Sequence, residues 1–190
     1  MDREVLRSLL PQAHLLSDDA VALLQPCLTV MELPKNTLLI QDTRVERNAY
    51  LLYVGIARAY ISTAAGEITF GFAREGHIIN ANAGYFSKTK GYENFHLLED
   101  AQLLKIDLDC IQQLFLVNIE ICNWARVITE VEAMAAEERR LDYILLSPEE
   151  RYVKLLQNDA SLLHRVPLKN IATYLGISPV SLSRIRARIK

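Results

Sequence analysis

The twenty residues Leu168–Ala187, LKNIATYLGISPVSLSRIRA, constrain this chain more than any other stretch. Ile171, Leu175, Ile177, Leu182 and Ile185 recur at the spacing of two short helices that share one small core. Ala172 is the small residue where the two helices can touch. Gly176 stands where the chain must turn with positive φ, a conformation that costs a residue bearing a Cβ roughly 1 kcal/mol or more. Ser178 follows as a cap, and Pro179 suits the first position of the second helix. These residues spell a helix-turn-helix, a unit that lays its second helix in the major groove of DNA.

The second helix has the chemistry for that groove. With Leu182 and Ile185 turned inward, Ser181, Arg184 and Arg188 share the outward face, and Val180 lies one turn before Arg184. Arg184 is predicted to read a base, because its guanidinium fork matches the paired acceptors of guanine. Ser178 and Ser181 are placed for phosphate oxygens, Pro179 and Val180 lie at the entering end, and Val180 suits a thymine methyl. Lys169, Arg186, Arg188 and Lys190 are predicted to supply sequence-independent attraction to the backbone.

Charge supports this assignment once it is divided along the chain. The net charge is −2, but residues 161–190 hold six basic side chains and no acid, leaving a balance of −8 over residues 1–160. A basic terminal segment on an acidic body suits a nucleic-acid-binding head on another domain.

Upstream the pattern differs. Residues 1 to about 26 read as short helices, with Asp18 predicted to cap the run Ala20–Leu24 and Pro26 to stop it. Strand-like runs follow at 37–40, 49–54, 57–62, 68–72 and 102–106, separated by turn signals at Pro34-Lys35-Asn36, Ala65-Gly66-Glu67 and Glu75-Gly76-His77. Short strands at this spacing predict an antiparallel barrel or jelly roll. From Asn118 to Leu146 there is neither Pro nor Gly. Trp124, Val127, Val131, Met134, Leu141 and Leu145 fall at steps of three and four, interrupted by Glu138, as on the seam of a coiled coil. That seam predicts a symmetric dimer, with Glu138, near Arg139, either in a cross-dimer ion pair or marking where the helices splay. Ser147-Pro148-Glu149-Glu150 then starts a new helix whose Tyr152, Val153, Leu155 and Leu156 are predicted core.

Several classes are disfavoured. Cys27, Cys110 and Cys122 are widely spaced and odd in number, and read as buried structural thiols rather than ligands of a metal or cluster. His77 and His96 read as ordinary side chains of the β region. No nucleophile–base motif, glycine-rich phosphate loop or metal-ligand cluster points to an enzyme. No apolar run is long enough for a membrane span or signal peptide, so the expected location is the cytoplasm.

Read whole, the chain resembles the Crp/Fnr family of bacterial transcription regulators, in its short form ending after the recognition helix. The resemblance covers residues 28 to 190 and is strongest in VPLKNIATYLGISPVSLSRIR. Looser matches are LPKNTLLIQD, AYLLYVGIARAY, the turn AGE followed by ITFGF, and LLEDAQLLKI. It implies an α+β fold: an N-terminal antiparallel, jelly-roll-like β-roll with flanking helices, a long dimerisation helix and a C-terminal helix-turn-helix domain. The expected boundaries are 1–116 for the cyclic-nucleotide-binding-like sensor domain, 117–146 for the dimerisation helix and 147–190 for the DNA-binding domain.

Departures from the family pattern narrow what this implies. Where cyclic-nucleotide-binding members carry Gly-Glu and then Arg with Ser or Thr, this chain has Gly84-Tyr85 and, by alignment, Tyr92-Glu93. A buried phosphate facing a carboxylate without its cation would cost several kcal/mol. Cyclic AMP is therefore not expected to bind in the usual way. Tyr85, Lys88, Tyr92 and His96 are the candidate lining of a pocket for another small ligand, and an emptied or filled pocket is the competing expectation. No cofactor is predicted and the effector is unnamed. In the recognition helix Pro179 and Val180 replace the usual Arg and Glu, leaving Arg184 of that reading set. The expected partners are double-stranded DNA with a palindromic promoter site, a second copy through residues 117–146, and RNA polymerase as a further candidate. The competing function is a small-molecule-binding β-roll whose helix-turn-helix docks a protein.

Overall fold

The structure is a computed structural model and describes residues 2–189. It comprises two compact units, one of Met1–Ala59 with Phe72–Glu132 and one of Tyr60–Gly71 with Ala133–Lys190.

The first unit opens with α1 (Arg3–Leu9) and α2 (Asp18–Leu24). Ser17, rather than Asp18, caps α2: its hydroxyl accepts from the Ala20 amide, while Asp18 is the first helical residue. Both types can cap, and the choice follows which residue keeps extended φ/ψ, here Ser17 at φ −70° and ψ 169°. Pro26 lies in a short 3-10 turn, Gln25–Cys27, that ends at the first strand.

Eight strands follow: β1 (Leu28–Leu33), β2 (Leu38–Ile40), β3 (Asn48–Val54), β4 (Ala57–Thr63), β5 (Gly66–Ala73), β6 (Ile78–Ile79), β7 (Asn94–Leu97) and β8 (Ala101–Asp107). A short helix, α3 (Asn82–Phe86), interrupts them between β6 and β7. They form two four-stranded sheets, ordered β1-β8-β3-β6 and β2-β7-β4-β5, and the fold is α+β. In the first sheet Leu51 pairs with Leu104 and, across β1 and β8, Val30 with Leu104.

The alternation of β3 and β8 builds two cores. Ala49 and Leu51, with Leu104 and Ile106, pack among Leu6, Leu24, Ile111, Ile121 and Trp124 on the helical side. Tyr50 and Leu52, with Leu103 and Ala101, face Ile40, Ala57, Ile79 and Leu97. Each fully buried Leu or Ile contributes about 1.5–3 kcal/mol relative to exposure, so a one-residue slip of either strand would exchange both sets.

The helical layer is completed by α4 (Leu108–Phe115) and the start of α5 (Ile119–Leu145). Cys27 and Cys110 are joined in a disulfide, correcting the expectation of three unpaired thiols; Cys122 is free and half-buried. The partners are 83 residues apart, a contact that only the closed fold brings about.

At 27 residues α5 is about 40 Å long. Its seam is not uniform. Trp124 is buried in the first core and donates its indole N–H to the Pro11 carbonyl at 2.7 Å, whereas Val131, Met134, Leu141 and Leu145 are exposed, Met134 by 72%.

The second unit holds the rest of α5, then α6 (Pro148–Asn158), α7 (Leu162–Arg165), α8 (Leu168–Tyr174) and α9 (Pro179–Ile189), together with the tip of the β4–β5 hairpin. Ser147 and Glu150 form a complete capping box at the start of α6. Tyr152 is buried there, but Leu156 is exposed, so one expected core position faces outward. Within this unit the hydroxyls of Thr69 on the hairpin and Thr173 on α8 lie 2.8 Å apart.

Candidate nucleic-acid interface

The two motif helices, α8 and α9, are held by the residues that the spacing singled out. Ile171, Leu175, Leu182 and Ile185 are buried, Ile177 is half-buried, and Ala172 is fully buried at the helix contact. Gly176 has φ +72°. A Cβ added there would also lie 2.8 Å from the Tyr143 hydroxyl, so glycine answers both the turn and a close approach by the last turns of α5. The Ser181 amide donates to the Ser178 hydroxyl at 3.1 Å, making Ser178 the cap ahead of Pro179.

That core fixes what α9 displays. Arg184, Arg186 and Arg188 are exposed, as are Pro179 and Val180, while Ser181 is half-exposed. Arg184 and Arg186 make no ion pair among the described residues, whereas Arg188 reaches Glu149 at 3.4 Å. The Ser178 and Ser181 hydroxyls are 3.0 Å apart and engaged with each other. Lys169 is exposed in the first turn of α8, and Lys190 lies outside the described residues.

Residues outside the motif secure these helices. Arg151 on α6 donates to the carbonyls of Tyr143 at 3.1 Å and Leu146 at 2.7 Å, and to Leu175 at 2.8 Å where α8 ends. It therefore satisfies carbonyls left over at two helix C-termini, where a cation is also favoured by the helix dipole. Its guanidinium stacks over the Tyr143 ring, 4.5 Å from the centroid, and its Nε is buried without a partner among the described residues. Arginine in a helix's first turn after a capping box looks like an ordinary surface residue, so no local signal marks this role.

Lys154, one turn along α6, bonds Asp142 at 2.6 Å and Glu138 at 2.7 Å. The Asp142 bond, and then the Glu138 bond, hold the ammonium's pKa above its usual value. Glu138 thus has an ion-pair partner within its own chain.

Of the four candidate ligand residues, Tyr85 lies in α3, Lys88 and Tyr92 in the loop after it, and His96 in β7. Tyr85 packs edge-on to Phe86 with ring centroids 4.7 Å apart, and Lys88 turns back over Tyr85 and pairs with Asp109 at 3.3 Å. Tyr92 is exposed, and His96 sits in β7 opposite Leu38. Beside the buried Asn94, Glu93 is also buried in this region. Its carboxylate accepts from the amides of Asn82, the first residue of α3, at 3.2 Å and of Tyr92 at 2.8 Å. Gly91 allows it to lie there, since a Cβ on Gly91 would come within 2.5 Å of Glu93 Oε2. Gly84 has a packing role as well, because a Cβ would run into the Glu46 carbonyl oxygen. An arriving anion would therefore meet a carboxylate already bonded to these amides.

The fold of this chain matches solved structures over most of its length. FixK2 from Bradyrhizobium japonicum matches with a TM-score of 0.71 at 17% identity, covering 85% of this chain and 84% of its own. The c-di-GMP-responsive global regulator CLP of Xanthomonas campestris matches with a TM-score of 0.72 at 14% identity, covering 91% of each chain. A protein of Eubacterium rectale assigned to the Crp/Fnr transcriptional regulators gives 0.75 at 15% identity, covering 96% of this chain and 87% of its own. The chain has the Crp/Fnr regulator fold. No protein-family profile and no curated sequence matches it. At these identities the Crp/Fnr likeness is one of fold. No helix among the described residues is long and apolar enough to cross a membrane.

Proposed function

We propose that this chain is a sequence-specific DNA-binding transcription regulator, not an enzyme, acting in the cytoplasm as a homodimer through residues 117–146. The observation that carries the reading is the outward face of α9. An exposed arginine with no ion-pair partner among the described residues, Arg184, stands on a short helix whose other face is locked by Leu182 and Ile185. A planar fork on a rigid helix is suited to the two acceptors on the guanine edge, and Arg186, Arg188 and Lys169 suit phosphates. Since the Ser178 and Ser181 hydroxyls engage each other, contacts to DNA would use their remaining hydrogen-bonding capacity or the amides at the start of α9. Regulators of the same fold support DNA binding as the role of this surface.

The dimer rests on the exposed half of the α5 seam. Val131, Met134, Leu141 and Leu145 form an apolar stripe that a symmetric copy would cover. Two heads then call for a palindromic site with half-sites roughly 34 Å apart. RNA polymerase is a further partner for such a complex. Glu93 supports a β-roll that does not take cyclic AMP in the usual way, because its carboxylate holds the Asn82 amide at the start of α3 and the Tyr92 amide ahead of β7.

Selection from random genomic fragments, followed by a salt titration on the best site, tests the reading. Affinity should fall by roughly 0.9 log units per log unit of salt for each phosphate contact, and Arg184→Ala should lose about 1–3 kcal/mol together with selectivity at one base. Salt-insensitive binding, or an Arg184→Ala variant as tight and selective as the parent, would refute it. Met134→Glu should shift the sedimenting species from dimer to monomer.

A further inference from the structure

We propose that the Cys27–Cys110 disulfide is a reversible redox modification site that exchanges with small thiols. The bond joins two positions 83 residues apart with Cα atoms 5.5 Å apart, within the range a disulfide needs. Its sulfurs stand in unlike surroundings. Cys27, at the end of the turn after α2, is 3% exposed and belongs to the helical-side core, whereas Cys110, in the first turn of α4, is half-buried. Cys110, the more exposed of the two residues although it too packs against that core, carries the sulfur we assign to attack by an incoming thiolate, while Cys27 lies within the core with Leu24 and Ile111.

The inference rests on the DNA-binding reading in one respect. A protein that works on chromosomal DNA resides in a reducing compartment, where lasting disulfides are rare and those present usually serve redox sensing or catalysis. The chemistry is balanced by a dithiol. One thiolate of the reductant attacks the Cys110 sulfur, forming a mixed disulfide and releasing the Cys27 thiolate, which takes a proton. The second thiolate of the reductant then displaces Cys110, which is protonated in turn. Two electrons and two protons pass to the chain, and the reductant leaves as its cyclic disulfide.

The bond is placed to matter. The loop it closes, residues 28–109, contains all eight strands, and Cys110 lies in the helix that feeds, through Leu116–Asn118, into α5. Reduction would release α4 from the turn at Gln25–Cys27, loosening the layer against which α5 begins.

The full-length chain is held under native conditions without reductant, with dithiothreitol, or with dithiothreitol followed by oxidised glutathione, then unfolded in guanidinium with excess maleimide and weighed intact. The oxidised chain should take up one label at most, on Cys122. The reduced chain should gain two further labels, and glutathione disulfide should remove that gain. Cys122→Ser should leave the two-label gain unchanged, and the double variant Cys27→Ser, Cys110→Ser should abolish it. A second measurement, amide exchange across α4, should quicken severalfold on reduction. The proposal is overturned if all three thiols stay alkylatable after oxidation, if native dithiothreitol treatment opens nothing, or if the bond does not re-form. Because these readouts contain no DNA, failure of the DNA-binding reading would leave them unchanged and be recognised separately.

Discussion

Replacing Gly176 with alanine should weaken the α8–α9 pair by an amount that the structure lets us divide. At φ +72° an alanine carries the left-handed penalty of about 1 kcal/mol. Its Cβ would also sit 2.8 Å from the Tyr143 hydroxyl, so that ring must swing, and it is the ring on which Arg151 stacks. Disturbing a partly exposed cation–π contact costs about 0.5–1 kcal/mol. The sum is about 2 kcal/mol, or roughly thirtyfold in an opening equilibrium. The readout is native-state hydrogen exchange of the Leu182 amide, which donates to the Ser178 carbonyl at 3.0 Å and reports opening of α9 itself. In a Tyr143→Ala background the steric part vanishes, and the same substitution should cost only about 1 kcal/mol, roughly fivefold. If Gly176→Ala exchanged within about threefold of the parent, or if its penalty were equal in both backgrounds, the assignment of Gly176 to turn and close approach together would be wrong.

Three further outcomes follow from contacts described above. Arg151→Met should destabilise the second unit by about 2–3 kcal/mol in urea melts followed by circular dichroism, since three carbonyls lose a charged donor, and Arg151→Lys should not restore it, because one ammonium cannot span both helix ends. Ala172→Leu should cost about 1–3 kcal/mol in the same assay by forcing α8 and α9 apart, as Ala172 has no exposed surface. Acid should weaken the fold in a particular window. Asp109 is held below the usual carboxylate range chiefly by its hydrogen bond from Arg47, Glu120 by the Ser17 backbone amide, and Glu150 by its bonds with Ser147. A lowered folded pKa means stability that is present above about pH 4 and lost as pH falls through the folded values. The urea midpoint should be flat from neutral to about pH 5 and then drop, and Ser147→Ala should shallow the drop.

What could be read from sequence depended on how local the cause was. The turn glycine, the Ser178 cap and the inward positions of α8 and α9 obey constraints set within a few residues, and spacing alone placed them. The longer strands, such as β3 and β8, were legible through their alternation, whereas β6, with two residues, is too short to carry a period. Region 80–97 folds into α3 and β7 around Glu93, and what makes it work is a carboxylate finding two amides, which composition does not reveal. The seam of α5 was correctly seen as apolar, but its division into a part buried on its own core at Trp124 and a part left exposed depends on where that core ends. Glu138 met Lys154, and Cys27 met Cys110, through chain closure over distances no window spans. Arg184 is the position where sequence and structure agree on display.

The burial of Trp124 makes the molecule its own reporter. It is the only tryptophan in the chain, and it lies in the first unit, with its indole N–H tied to Pro11 in a dry setting. Intrinsic fluorescence therefore watches one unit and is blind to the local melting of the other, while far-ultraviolet ellipticity, weighted toward helices, sees both. Overlaid denaturation curves would coincide if α5 makes the two units unfold as one, and would separate if Ala133–Lys190 melts on its own. A single native chromophore thus turns a question of cooperativity into a comparison of two traces from one unlabelled sample.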